Sequence, residues 1–350
     1  MKAFFAEESG GHDPQTFMRL GQMGTAEEVP ERAERLLAGA QAAGLEVLRP
    51  TEDGLPEIAA VHTPEYLRFL ETIHDRWRQI PGAAPEVIPN LHLDRTLGGY
   101  PESPVGLATY HQADAACPIG AGTWDGALWS ARAAISATRA VIADGRPVYA
   151  LSRPPGHHAY ADMAGGFCFL NNSAIAAEML VREGGRRVAI LDVDVHHGNG
   201  TQGIFYGRGD VLTVSLHADP RHYYPYVCGY AHERGAGDGL GRNRNLALPL
   251  TTEDDDYAVA LADAVGTVRA FRPDALIVAL GLDAHADDPL KGMRLSTAGF
   301  ERIGRTIGTL GLMSIIVQEG GYLCDALGGN LTAFLTGFQA GYEEAAHAGA

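Results

Sequence analysis

Six short runs of the chain are nearly continuously apolar: Lys2–Phe5, Pro147–Leu151, Arg187–Val193, Val211–Leu216, Ala275–Leu280 and Met313–Val317. Continuity, in place of alternation, is what a strand covered on both faces shows. Between these runs the apolar positions recur at helical spacing, which predicts helices over Pro30–Ala43, Trp124–Ala143, Asn171–Arg182, Asp255–Ala270, Thr297–Gly308 and Asp325–Gly337. Strands alternating with helices imply βαβ units and a mostly parallel sheet. The stretch from Trp77 to Gly122 breaks the rhythm, running through IPGAAPEVIPNLHLDRTLGGYPESPVG with little periodicity. A loop of that length inside a folded domain is usually functional or disordered.

Composition narrows the class. With 46% hydrophobic and 20% charged residues in 350, the chain reads as one folded α/β domain. No stretch reaches the roughly 18 apolar residues of a membrane helix. The start, MKAFFAEESGGHD, reads as a first strand and not as an export signal. A cytoplasmic protein with Cys117, Cys168, Cys228 and Cys324 as reduced thiols is expected. Their spacing matches no zinc-finger pattern, so a metal would need oxygen and nitrogen ligands. The formal charge of −16 disfavours nucleic acid and anionic membrane as partners and suits cationic substrates.

In parallel sheets, functional side chains gather in loops past the carboxyl ends of strands. That rule selects the loops after Leu151, Val193, Leu280 and Val317. The first holds Arg153-Pro154-Pro155-Gly156-His157-His158, two histidines poised for proton transfer. The second is entered through Asp192-Val193-Asp194-Val195-His196. Alternation would put Asp192, Asp194 and His196 on one side, within reach of one ion. The third, Asp283-Ala284-His285-Ala286-Asp287-Asp288-Pro289, looks at first like a self-contained metal site. The fourth, Glu319-Gly320-Gly321-Tyr322, presents a tyrosine whose hydroxyl suits a developing oxyanion.

Taken in order, R-P-P-G-H-H-A, G-F-C-F-x-N-N, D-V-D-x-H-H-G-N-G-T, S-L-H, L-G-x-D-x-x-x-x-D-P and E-G-G-Y resemble the histone deacetylase and acetylpolyamine amidohydrolase superfamily. The resemblance runs from about Val29-Pro30-Glu31-Arg32 to the C-terminus. It implies a three-layer α/β/α fold around a mostly parallel, roughly eight-stranded sheet, as in arginases and deacetylases. It further implies a single domain over 1–350, with an inserted region about 77–122 that shapes the entrance and a homodimer contact. Asp194, His196 and Asp283 would be ligands of zinc, with iron(II) possible in the cell. His158 would be the general base, His157 its electrostatic partner held by Asp192, and Tyr322 the oxyanion donor. Asn199 stands where some relatives carry an aspartate against the second histidine, which would leave His158 less basic. Potassium would lie on oxygens of Asp192, Asp194, His196, Ser215 and Leu216, and a second on carbonyls of Phe205, Arg208 and Val211. Phe167 and Tyr224, with Gly166 and Leu290, would line an acyl tunnel, and Asp114 would orient substrate at its rim.

The resemblance leaves the substrate open. Asp219-Pro220 with Tyr224-Pro225-Tyr226, Gly122-Thr123-Trp124 and the acidic balance favour an acetylpolyamine. Asp283-Ala284-His285-Ala286-Asp287 departs from the D-T-F-E-x-D-P form of that branch, and Lys291 follows Asp288-Pro289 at the expected mouth. Acetyl-lysine in proteins is the alternative; an acyl-binding member without turnover is a third reading, disfavoured by the intact histidine and tyrosine set. His285 and Asp287 are expected at the rim, as determinants of specificity.

Overall fold

The computed structural model describes residues 1–92 and 99–348. Its strands are β1 (Lys2–Phe4), β2 (Thr16–Arg19), β3 (Gln22–Thr25), β4 (Glu46–Leu48), β5 (Val148–Ala150), β6 (Val188–Asp192), β7 (Val211–Ala218), β8 (Asn243–Leu248), β9 (Ala275–Leu280) and β10 (Met313–Gln318). Eight of them form one sheet in the order β4-β1-β5-β10-β9-β6-β7-β8, every pair parallel. The expected mostly parallel, roughly eight-stranded sheet is borne out. The helices are α1 (Glu31–Ala42), α2 (Leu55–Ala59), α3 (Pro64–Trp77), α4 (Pro104–His111), α5 (Thr123–Asp144), α6 (Asn172–Gly184), α7 (Asn199–Phe205), α8 (Asp254–Phe271), α9 (Thr297–Gly308) and α10 (Leu327–Ala348).

The pleat divides each central strand between two cores. Ala189 and Leu191 of β6, with Leu276, Val278 and Leu280 of β9, join the core under α1, α8, α9 and α10. Val188 and Ile190, with Ala275 and Ile277, join the core under α5 and α6 on the other face. Three layers follow, and each Leu, Ile or Val so covered contributes roughly 1.5–3 kcal/mol. A satellite core under α3 and α4 gathers Tyr66, Phe69, Ile73 and Leu107.

Local signals set several boundaries. Asn171 caps α6 by accepting the Ala174 N–H at 2.9 Å, and Gly185 ends it at φ 57°. The edge strands β4 and β8 fall outside the six apolar runs because one flank is open, so their sequences, EVL and NRNLAL, need not be apolar. Helix α10 outlasts the expected Gly337 boundary. Gly337 and Gly341 lie against the Glu301 and Arg305 carbonyls of α9, where an added Cβ would stand 2.1 Å away, so these glycines pack a helix seam and do not end a helix.

The four middle strands β5, β10, β9 and β6 are neighbours. Their carboxyl-end loops are the four picked out by sequence, so one rule of sheet topology brings them together. Among the described residues, no helix is long and apolar enough to cross a membrane, and all four cysteines are free thiols.

Candidate active site

Asp192 ends β6, and the chain beyond it folds back on its own aspartates. Asp192 Oδ1 accepts the Asp194 N–H at 3.1 Å, and Asp194 Oδ1 accepts the His196 N–H at 2.8 Å. This turn corrects the alternation reading. Asp192 points away from the other two and meets His157 Nδ1 at 3.0 Å, because the strand has already ended. Its place in the cluster is taken by Asp283, just past β9. His196 Nδ1 lies 3.0 Å from Asp194 Oδ1 and 3.1 Å from Asp283 Oδ2.

Asp194, His196 and Asp283 therefore form a buried group able to hold a metal ion. Ligands about 2.0 Å from a tetrahedral ion stand roughly 3.3 Å apart, close to the separations seen. The charge balance agrees: among the described residues neither carboxylate pairs with an arginine or lysine, only with imidazoles. Burial, with Asp194 alongside, pushes the Asp283 carboxyl above its usual range. Burial acts against the His196 imidazolium, yet the two carboxylates raise it to about 9. One nitrogen and two carboxylates, buried without an arginine or lysine partner, suit a divalent ion.

Neighbouring loops hold this group in place through backbone donors. Gly320 N–H donates to Asp194 Oδ2 at 2.7 Å, and Val195 N–H to Asp283 Oδ1 at 3.0 Å. Asp288 accepts from Leu290 N–H at 2.8 Å and from Tyr322 N–H at 2.9 Å, tying the loop after β9 to the tyrosine's own backbone. Burial first, and then Asp283, raise its carboxyl to about 7. Glu319 accepts from the Gly156 and His157 N–H groups at 2.6 and 3.0 Å, and from Ser173 Oγ at 2.7 Å.

The two histidines differ sharply. Burial disfavours a charged His157, but Asp194 and Asp192 outweigh it and lift its pKa to about 10. His158 is also buried, its neighbours His157 and His196 are potential cations, and its Nδ1 meets the neutral Asn199 Oδ1 at 2.6 Å. Its pKa is pushed well below the usual value, first by burial and then by those cations. Among the described residues no protein group pairs with its Nε2.

A cavity of about 570 Å³ opens over this floor. Its wall contains His158, His196, Asn199, Phe167, Tyr224, Leu290, Gly166, Asp114 and Tyr322. Gly166 and Phe167 both take positive φ, 50° and 68°, at the centre of a turn closed by reciprocal Gly165–Cys168 hydrogen bonds. That turn sets the Phe167 ring edge-on to Tyr322, 5.6 Å between centroids. Asp114 Oδ2 accepts from Tyr224 Oη at 2.5 Å, while Oδ1 closes its own turn on Ala116 N–H at 2.9 Å. Asp114 thus closes a turn and lines the cavity wall.

His285 requires a second correction. It is buried, its Nδ1 accepts the Asp287 N–H at 3.1 Å, and its ring stacks on Phe300 of α9. The loop bridges back to Leu295 and turns His285 away from the cavity. Neither Asp287 nor Lys291 belongs to the cavity wall. As for the cation positions, Ser215 pairs with Asp192 across the sheet, and its Oγ meets His217 Nδ1 at 2.8 Å. Phe205, Arg208 and Val211 lie on the connection from α7 to β7, where Arg208 N–H donates to Phe205 O at 3.0 Å.

Sequence reasoning missed a buried layer beneath Tyr322. The Arg32 guanidinium lies 4.6 Å from the Tyr322 ring centre and donates to Gly321 O at 2.5 Å and Glu319 O at 2.8 Å. Glu28, wholly buried, binds Arg32 at 2.6 Å and Arg153 at 2.9 Å. It also missed the β2–β3 hairpin, whose Phe17 packs on Phe167 at 5.3 Å and whose Arg19 Nη2 reaches Leu290 O at 3.3 Å. Arg32 and Arg153 sit inside quoted motifs, but their partner Glu28 carries no signal in the sequence.

Comparison with known proteins settles the lineage. A model of the histone deacetylase domain matches residues 26–338. The chain belongs to the histone deacetylase family. It is 47% identical to the acetylpolyamine amidohydrolase of Burkholderia pseudomallei (strain 1710b), across 97% of this chain and 99% of that one. It is 40% identical to acetylpolyamine amidohydrolase 1 of Pseudomonas aeruginosa, across 97% and 99%. A crystal structure of acetylpolyamine aminohydrolase from Burkholderia pseudomallei superposes with a TM-score of 0.94 at 45% identity, covering 97% of this chain and 99% of that one. This deacetylase-family chain is an amide-bond hydrolase.

Proposed function

We propose that the chain hydrolyses the amide of short acylated amines, acetylpolyamines foremost, releasing acetate and the free amine. One observation carries the reading: His196 of the Asp194–His196–Asp283 group, His158 and Tyr322 all line one cavity. The three ligands would hold zinc, or iron(II) in the cell. When bound, such an ion supplies Lewis acidity and a water of lowered pKa.

The remaining chemistry belongs to the chain. His158 Nε2 takes a proton from the water whose oxygen attacks the acyl carbon. It returns that proton to the nitrogen as the C–N bond breaks. Because its pKa is pushed down, the resting imidazole is neutral and its lone pair is free to accept. His157, held by Asp192, places fixed positive charge beside it. Tyr322 keeps its proton, since burial pushes the phenol well above its usual value. It can therefore donate to the carbonyl oxygen as that oxygen gains charge. Phe167 and Tyr224 sheath the acyl chain. On the same terms, potassium is proposed on oxygens of Asp192, Asp194, His196, Ser215 and Leu216, and a second on carbonyls of Phe205, Arg208 and Val211. A homodimer contact is proposed in the region about 77–122, of which 93–98 lie outside the described residues.

The names of the relatives and Asp114, among the described residues the one carboxylate of the wall, favour a cationic amine. A second reading, acetyl-lysine in peptides, draws on Arg19, a cation in the wall that a polyamine must pass. Specificity constants of the zinc-loaded enzyme for N-acetylputrescine, N-acetylcadaverine and acetyl-lysine peptides decide between them. Peptides ahead by about tenfold would overturn the polyamine reading. Absence of acetate release from every substrate would overturn the hydrolytic one.

A further inference from the structure

Asn199 raises a question that an aspartate would not. A carboxylate accepts from either side, whereas an amide has one accepting and one donating end of nearly equal shape. With Oδ1 toward His158, Asn199 accepts the Nδ1 hydrogen and leaves the Nε2 lone pair facing the cavity. With Nδ2 toward His158, it would donate to a bare Nδ1. The hydrogen would then sit on Nε2, and no proton could be accepted there. The orientation of Asn199 thus decides whether the imidazole is a base at the reacting side.

Tyr160 lies at the other end of that amide. Asn199 Nδ2 donates to Tyr160 Oη at 3.0 Å while Oδ1 meets His158 Nδ1 at 2.6 Å. A hydroxyl can accept from Nδ2 only while its own hydrogen points elsewhere, so this contact sets the sense of the Tyr160 hydroxyl. The ring itself has one place to lie. Its Cδ1–Cε1 edge abuts α7 at Gly203, where an added Cβ would be 2.6 Å from both ring carbons. Gly203 is four residues after Asn199, on the same helix face. With Oδ1 on His158 and Nδ2 donating to Tyr160, the hydrogen bonds run one way, from His158 to Asn199 to Tyr160.

We propose that Tyr160 is a positioning residue that locks the Asn199 amide, and through it the His158 tautomer that can take up a proton at the cavity. The inference rests on His158 being the base of the proposed reaction. With zinc-loaded protein and N-acetylputrescine, Tyr160→Phe lowers kcat by roughly 10- to 100-fold while KM moves by no more than about threefold. Gly203→Ala, which displaces the ring without removing the hydroxyl, lowers kcat in the same way. Adding Asn199→Asp to either variant restores most of the lost kcat, because a carboxylate has no wrong end. That rescue is beyond a purely structural role, and it also shows that the variants fold.

A kcat for Tyr160→Phe within about twofold of the parent overturns the proposal, as does a loss carried wholly by KM. So does failure of Asn199→Asp to restore either variant. His158→Ala separates the two levels. If it keeps the parent rate, the base assignment falls and this inference with it. If it is inactive while Tyr160→Phe is not, this inference alone falls.

Discussion

The floor and the mouth of the cavity differ in how many constraints each side chain carries. At the floor, Asp194 and Asp283 are buried and their oxygens meet backbone N–H groups from Gly320, Val195 and His196 as well as an imidazole. At the mouth, Met18 and Leu20 of the hairpin are 38% and 80% exposed, Met23, paired with Met18, is 53% exposed, and Val227, also of the wall, is 81% exposed. A buried polar atom without a partner costs about 1–3 kcal/mol, so the floor tolerates few geometries. An exposed side chain finds water in any of them. Chemistry is thereby separated from selectivity: the floor holds the reacting groups, and the mouth is free to differ among relatives.

Breaking the floor gives the largest effects. Tyr322→Phe keeps the ring against Arg32 and Phe167 but removes the oxyanion donor. It is expected to lower kcat by roughly 10²–10³-fold, read by acetate release, with the thermal midpoint unchanged.

Next comes acid sensitivity beneath the floor. His62 accepts the buried Asn171 N–H on Nε2 at 2.9 Å, and burial lowers its pKa from 6.5 to about 4. The unfolded chain takes up this proton first, so stability is full above about 6.5 and falls as pH drops toward 4. The loss approaches about 3 kcal/mol for this group. Urea unfolding at pH 7 and pH 5 should show the decline, and His62→Gln should flatten part of it.

Gly320→Ala tests the floor from its backbone side. The new Cβ would lie 2.1 Å from Asp283 Oδ2 and 2.5 Å from Asp194 Oδ2. Metal affinity, measured by chelator competition, is expected to fall about 10–100-fold.

Mouth substitutions should do far less. Asp114→Asn keeps an acceptor for Tyr224 but removes the charge. It is expected to raise KM for a cationic substrate by a few-fold and to leave kcat alone, since partly exposed charges contribute about 0–1 kcal/mol. Met23→Ser, on the outer hairpin, should change unfolding free energy by no more than about 0.5 kcal/mol. A large effect at Met23 would erase the contrast.

Much of the floor was legible because it depends on local order. Continuous apolar runs marked the six inner strands, and the loops after four of them carried the histidines, aspartates and tyrosine. Edge strands β4 and β8 escaped because a half-open strand need not be apolar. Alternation alone misplaced Asp192, which meets His157 as the family resemblance implied, because strand periodicity cannot announce where the strand stops. His285 was misplaced because its loop doubles back to Leu295, a contact without a local signal.

What the sequence determined by itself, then, was the layered parallel fold and the identity of the chemical groups, since periodicity and strand-end motifs are properties of neighbouring residues. Tertiary structure alone decided which groups meet. It brought Asp283 to Asp194 across β9 and β6, set Glu28 between Arg32 and Arg153 under Tyr322, and placed Tyr160 against Gly203 and Asn199. Those pairings join residues distant in the chain, and burial makes them obligatory: each removes a charge or a hydrogen-bonding group from water and so requires its partner.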